Sequence, residues 1–183
     1  MVSLIYATFI SCDDCSSRSQ TEKHHMGFAL SSMQLTSSAF SDGNAVPEQH
    51  SGEGIDVSPA LAWQDAPEGT KSFAVICHDP DAPLVSPGTY GYVHWVLYNI
   101  PGNISGLDEG VQGYTSGNSD FGTPGYGGPM PPPGHGIHHY FFWLLALDIE
   151  PDLPSGLNMW QLLEKVEPNV IGMNRLVGTY QRG

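Results

Sequence analysis

The chain has 183 residues, 6 of them basic and 19 acidic, and a formal net charge of -13; this is the length of one domain with a sizeable core. A field of that sign repels nucleic acid and anionic membranes, and no run of about 18 apolar residues marks a transmembrane helix. Charged residues make up only 14% of the chain, while 22 glycines and 15 prolines favour turns and fixed loops over long surface helices.

In chain order, Met1–Ile10 is mostly apolar and Cys12 follows closely, a faint likeness to a lipoprotein signal that lacks the basic n-region. The stretch from Ser11 to His25 is polar and aperiodic. Residues 1–26 are therefore expected to form a disordered or processed extension, with Met26 an alternative start, and residues 27–183 one domain. A cytoplasmic protein is expected, or a periplasmic or secreted one if the first segment acts as a signal. Cys12 and Cys15 form a Cys-x-x-Cys pair without a second pair, a weak zinc signal, and three cysteines exclude a disulfide-dense scaffold. His24-His25 reads as part of the tail.

Phe28, Leu30, Met33 and Leu35 mark the first ordered element. A loop rich in Ser, Gly, Asp and Pro spans residues 37–59, and Leu61-Ala62-Trp63 leads into a turn at Ala66-Pro67-Glu68-Gly69. Phe73–Cys77 is a short continuous apolar run, as expected of a strand buried on both faces. Val93–Tyr98 forms a second strand, ended by the turn at residues 99–103, and the aromatic-rich Tyr140–Leu147 a third. Between these strands, residues 110–136 make a connection long enough to be functional or disordered. Met159, Leu162, Leu163 and Val166 repeat at i, i+3, i+4, i+7, which predicts a helix that Pro168 stops. Leu176–Tyr180 closes the chain as a last strand. The pattern predicts a mostly β fold, a sandwich with one or two short helices near the C-terminus.

Several of these elements carry side chains suited to chemistry. Asp79-Pro80-Asp81-Ala82-Pro83 follows the first buried strand, and its prolines fix φ and push the residues before them into extended conformations. The segment reads either as a strand-ending turn with solvated acids or as a stiff holder for the Asp79 and Asp81 carboxylates. His94 lies near the start of the second strand. His138 and Tyr140 share one strand face, while His139 takes the other and reads as solvated. Before them runs Gly125-Tyr126-Gly127-Gly128-Pro129-Met130-Pro131-Pro132-Pro133-Gly134-His135-Gly136. Its prolines make a stiff wall and its glycines let backbone N–H groups approach a ligand, an anion cradle; the other reading is a polyproline II segment or a linker. Cys77 reads as a buried core thiol. Nucleophile-elbow, P-loop and Rossmann glycine patterns are absent from the sequence.

Together, Asp79-Pro80-Asp81-Ala82-Pro83, His94-Trp95, the Gly-Pro loop, Gly134-His135-Gly136-Ile137-His138-His139-Tyr140 and the ending Leu176–Gln181 resemble the phosphatidylethanolamine-binding protein family, in its bacterial and archaeal, Raf-kinase-inhibitor-like branch. The resemblance covers about residues 28–182. It implies a sandwich of two antiparallel sheets with a C-terminal helix, and a small surface cavity for phosphate, phosphorylated head groups or similar anions. The ligand-binding residues it implies are Asp79, Asp81, His94, Pro132, His138 and Tyr140, with no cofactor. The sequence departs from relatives at His139, where they usually carry arginine, and between Pro83 and His94, where Tyr90 and Tyr92 stand but no tryptophan.

Three function classes follow. The first is non-catalytic binding of a small phosphate-type anion or phospholipid head group. The second is a regulator that docks a kinase or protease partner in the same pocket. In the third, Asp79, His94 and His138 supply the two-histidine, one-carboxylate ligand set of a metal-dependent enzyme. Homodimers are described for bacterial relatives. For the binding reading, Asp79 is expected to accept a hydrogen bond from an imidazole and fix its tautomer, with histidines and loop amides meeting the anion.

Overall fold

The computed structural model of the chain describes residues 29–83 and 90–183. The expectations for residues 1–26, for Cys12 and Cys15, for His24-His25 and for Phe28 lie outside the described residues. Two antiparallel sheets form. The smaller has the order β1-β2-β5 and the larger β6-β4-β3-β7-β8. The strands are β1 (Gln34–Thr36), β2 (Leu61–Gln64), β3 (Ser72–Asp79), β4 (Tyr92–Pro101), β5 (Gly106–Leu107), β6 (Thr115–Ser116), β7 (His138–Leu147) and β8 (Val170–Tyr180). One helix, α1 (Met159–Val166), joins β7 to β8, with a 3-10 turn at Glu167–Asn169 after it.

The apolar run in β3 follows from its place at the centre of the larger sheet. Phe73, Val75 and Cys77 face the smaller sheet, in a cluster with Leu61, Trp63, Leu144 and Phe142. Ala74 and Ile76 face the opposite way, in a second cluster with α1 residues Met159, Leu162 and Val166. A strand covered on both faces has no polar side to show, which is why its sequence does not alternate. Helix α1 lays its stripe on that outer face. Asn158 caps it reciprocally: Gln161 N donates to Asn158 Oδ1 at 2.9 Å and Asn158 N to Gln161 Oε1 at 3.1 Å.

The expected strands and helix form; β5 and β6 join them, and β4 runs on to Pro101 through part of the turn expected at residues 99–103. Leu61–Gln64 is itself a strand, and the last strand starts at Val170, six positions before Leu176. That early half passes against Pro67 and Ser31 at Gly172, where a Cβ would lie 2.6 Å from Pro67 Cγ. The outer edge of β8 is covered by the chain before β2: Ser31 N, Gly43 N and Val46 N donate to the carbonyls of Met173, Val177 and Thr179 at 2.7–2.8 Å, closing an edge that would otherwise pair with another molecule.

Two irregularities in the β3–β4 ladder shape its ends. Between Phe73↔Ile100 and Val75↔Leu97, β4 carries an extra residue, and Asn99 there adopts φ 58. Between Cys77↔Trp95 and His78↔Val93, His94 is the extra residue. A bulge of this kind re-aims side chains. Here it puts His94 and Trp95, neighbours in sequence, on the same face of the sheet.

Candidate functional site

The C-terminal end of β3, the start of β4 and the start of β7 lie side by side, and their inward residues line a cavity of about 340 Å³. Asp79, the last residue of β3, is 2% exposed. Its Oδ1 accepts from the N–H groups of Asp81 and Ala82 at 2.9 and 3.1 Å, a turn made possible by the extended, proline-fixed segment that follows. Its Oδ2 takes His138 Nδ1 at 2.8 Å. A carboxylate only accepts, so the proton of the His138 ring sits on Nδ1 and Nε2 is left to meet a ligand.

His94 is held the same way by another acceptor. Its Nδ1 donates to the Gly127 carbonyl at 2.8 Å, and Gly127 N returns a bond to the His94 carbonyl at 3.0 Å. Its Nε2 lies 4.0 Å from Asp79 Oδ2, beyond hydrogen-bond reach. Burial pushes the His94 pKa below its ordinary value, and the Gly127 carbonyl and the Asp79 charge only partly offset this. The ring is therefore neutral at pH 7.

Tyr140 packs edge-on against His94, ring centroids 5.0 Å apart. Its hydroxyl is fully buried and meets no partner with hydrogen-bond geometry. Burial and then the nearby Asp79 charge push its pKa far up, so it stays a protonated donor. Alternation along β7 thus places His138 and Tyr140 together, as expected. Tyr92 and Phe121 complete an aromatic side: their rings lie 5.2 and 5.4 Å from His94. Pro131, Pro132 and Met130 form the facing wall, with Pro132 in the expected position.

Not every expected residue arrives. Asp81 does not line the cavity; its Oδ2 takes both His139 Nδ1 at 2.7 Å and His139 N at 2.9 Å on the outer surface. Burial pushes the Asp81 carboxyl up, but the His139 bonds outweigh this and hold it below the usual range. Two of the loop's glycine amides are not free for an anion cradle. Gly127 N is spent on His94, and Gly128 N on Asp56 Oδ1 at 2.6 Å. Gly128 is needed for closeness instead: a Cβ there would lie 2.1 Å from the His50 carbonyl. Phe121 lines the site without having been marked by the sequence; Ala82, Pro83 and Met130 lie in the two marked segments, and Tyr92 two residues before His94, without having been assigned to the ligand.

Among the described residues, no lysine or arginine lines the cavity, so any positive potential inside it comes from imidazole protonation. Also among the described residues, no group of three or more His, Cys, Asp and Glu side chains is arranged to hold a metal ion. His138 spends its Nδ1 on Asp79, which leaves that ring only Nε2 for any other partner. Cys77 sits in the core below Asp79, fully buried, and burial pushes its thiol pKa well up.

Comparison with known proteins agrees with this fold. The profile of the family described as phosphatidylethanolamine-binding protein matches residues 36–181. A UPF0098 protein of Aquifex aeolicus is 41% identical over 157 residues, 82% of this chain and 89% of that one. Among solved structures, a putative phosphatidylethanolamine-binding protein homologue from Chlamydia trachomatis superposes with TM-score 0.77 at 37% identity, covering 82% of this chain and 98% of its own. Escherichia coli YbcL, described as a new member of the mammalian PEBP family, gives TM-score 0.75 at 33% identity over 84% of this chain and 100% of its own. Profile, relatives and fold coincide on the span that carries Asp79, His94 and His138, and the chain belongs to the phosphatidylethanolamine-binding protein family.

Proposed function

We propose that the cavity between Asp79, His94, His138 and Tyr140 binds a small phosphate-type anion or a phosphorylated head group without turning it over. The observation that carries this reading is the Tyr140 hydroxyl, buried at the cavity with no partner of its own. A buried donor of that kind costs stability unless a ligand satisfies it. The names of the family and of its solved relatives, which refer to phosphatidylethanolamine, point the same way.

The protonation states set how an anion is held. Each imidazole donates its Nδ1 proton to a fixed acceptor, so Nε2 of a neutral ring can only accept. A phosphate oxygen requires a proton between it and Nε2, supplied by the ring after protonation or by the anion itself as P–OH. For a phosphomonoester such as phosphoethanolamine either route takes up a proton, and its affinity rises as pH falls from about 8 to 5.5, through the ordinary imidazole range. Asp79 has both oxygens engaged and orients His138.

Calorimetric titration with phosphoethanolamine and with inorganic phosphate tests this. Saturable binding, stronger at low pH and lost in His138→Ala, is expected. Equal affinity for both compounds assigns the site to the phosphate group, and preference for phosphoethanolamine to the head group. No saturable heat with either, or phosphoethanolamine affinity flat with pH, overturns the reading.

A further inference from the structure

A second and larger cavity, of about 630 Å³, opens beside the first between β4 and the loops at residues 55–58, 110–116 and 124–126. Its chemistry is the opposite of the anion site. Three aromatic side chains line it: Tyr114 and Tyr126, both half-buried, and Trp95, a core residue only 2% exposed. Trp95 and Tyr126 meet at 86° with centroids 5.6 Å apart, forming a corner. Around them stand Ser58, Ser116 and one charged group, the Asp56 carboxylate. Among the described residues, no basic side chain and no histidine lines it. Asp56 is held at φ 61 with its Oδ1 taking Gly128 N at 2.6 Å.

Aromatic faces with one carboxylate attract a cation and repel an anion, since ring quadrupole and carboxylate act with the same sign. The net charge of -13 adds to this selection. We infer that this second cavity is a binding site for an organic cation, an ammonium or alkylammonium group seated against the half-buried Tyr114 and Tyr126 rings and balanced by Asp56. The size of the space leaves room for a substituent beyond the charged group. The site also adjoins the first one through the backbone. Pro124–Tyr126 forms part of its wall, and the next residue, Gly127, holds His94 through two hydrogen bonds. Occupancy of the cation site that shifts this wall changes the position of His94.

The test is a titration of the 15N-labelled protein with tetramethylammonium chloride, followed by two-dimensional NMR, with sodium chloride and the neutral tert-butanol as controls. The Trp95 indole N–H and the Gly113 and Gly125 amides are the reporters. Saturable shifts with the cation alone are expected. Asp56→Asn, which keeps an oxygen for Gly128 N, and Tyr114→Leu, which keeps the apolar packing, each weaken binding about three- to tenfold. Unchanged spectra of wild type overturn the inference. So does equal response to tert-butanol, full affinity in Asp56→Asn, or shifts confined to His94 and Phe121. Phosphate affinity measured separately distinguishes failure here from failure of the anion reading.

Discussion

Replacing Tyr140 by phenylalanine separates stability from binding in a direction that few buried substitutions take. The Tyr140 ring is fully buried against His94, and its hydroxyl has no hydrogen-bond partner. Leaving a buried hydroxyl unsatisfied costs about 1–3 kcal/mol. Phenylalanine keeps the ring packing and removes the cost, so Tyr140→Phe is expected to stabilise the ligand-free protein by about 1 kcal/mol. For a chain of this length, that raises Tm by about 2–4 °C. Binding moves the other way. A hydrogen bond from Tyr140 to a charged phosphate oxygen is worth about 1.5–3 kcal/mol, so its loss weakens phosphoethanolamine affinity by about tenfold or more. Urea denaturation without ligand gives the first quantity and calorimetry the second. A variant less stable than wild type would show that the hydroxyl is already bonded in the free protein, to Asp79 or to water. Unchanged affinity would show that it does not face the ligand. Either result refutes the reasoning.

Four further predictions follow from the same geometry. His94 is held neutral by burial, its pKa below the ordinary 6.5. The unfolded chain then binds that proton more readily, so the stabilisation is complete above about pH 6.5 and is lost as pH falls below it. Urea midpoints between about pH 7.5 and 5 should fall less steeply in His94→Gln than in wild type. Asp79→Asn keeps an acceptor for the amides of Asp81 and Ala82 but removes the charge that orders His138; a loss of about 1.5–3 kcal/mol is expected by denaturation, with the His138 ring proton moved from Nδ1 to Nε2 in a 15N spectrum. Gly128→Ala drives a Cβ to 2.1 Å from the His50 carbonyl and should cost about 2–3 kcal/mol while loosening the Gly127 clamp on His94. His139→Ala removes a half-exposed ion pair and should change stability by less than about 1 kcal/mol, with phosphate affinity unaffected.

The sequence made some of this architecture readable and hid the rest for definite reasons. β3 and β7 were legible because their apolar runs are long, and α1 because its stripe repeats at helical spacing and Pro168 ends it. The pairing of His138 with Tyr140 follows from strand alternation alone. The position of His94 does not. Alternation from Trp95, a core residue, assigns it to the opposite face; only the bulge opposite Cys77 and His78 brings it into the cavity. A bulge is decided by the register of two strands, which no local pattern contains. The first half of β8 was hidden because Gly172, Asn174 and Arg175 break its apolar alternation, while β5 and β6, two residues each, have no period to detect. Phe121 and Met130 reach the site from an irregular loop whose path is set by Gly127, Gly128 and Asp56. The same loop reads as a row of free amides in sequence, and it is the fold that spends two of them, Gly127 N and Gly128 N, on His94 and Asp56.

The most direct test of the anion site is a 15N NMR titration of the imidazole nitrogens with phosphoethanolamine at about pH 6, close to the ordinary imidazole pKa. The account predicts that Nε2 of His94 and of His138 both shift saturably towards the protonated range, while His139 on the outer surface does not move. Binding that leaves both Nε2 signals unchanged, or that shifts His139 instead, would contradict it.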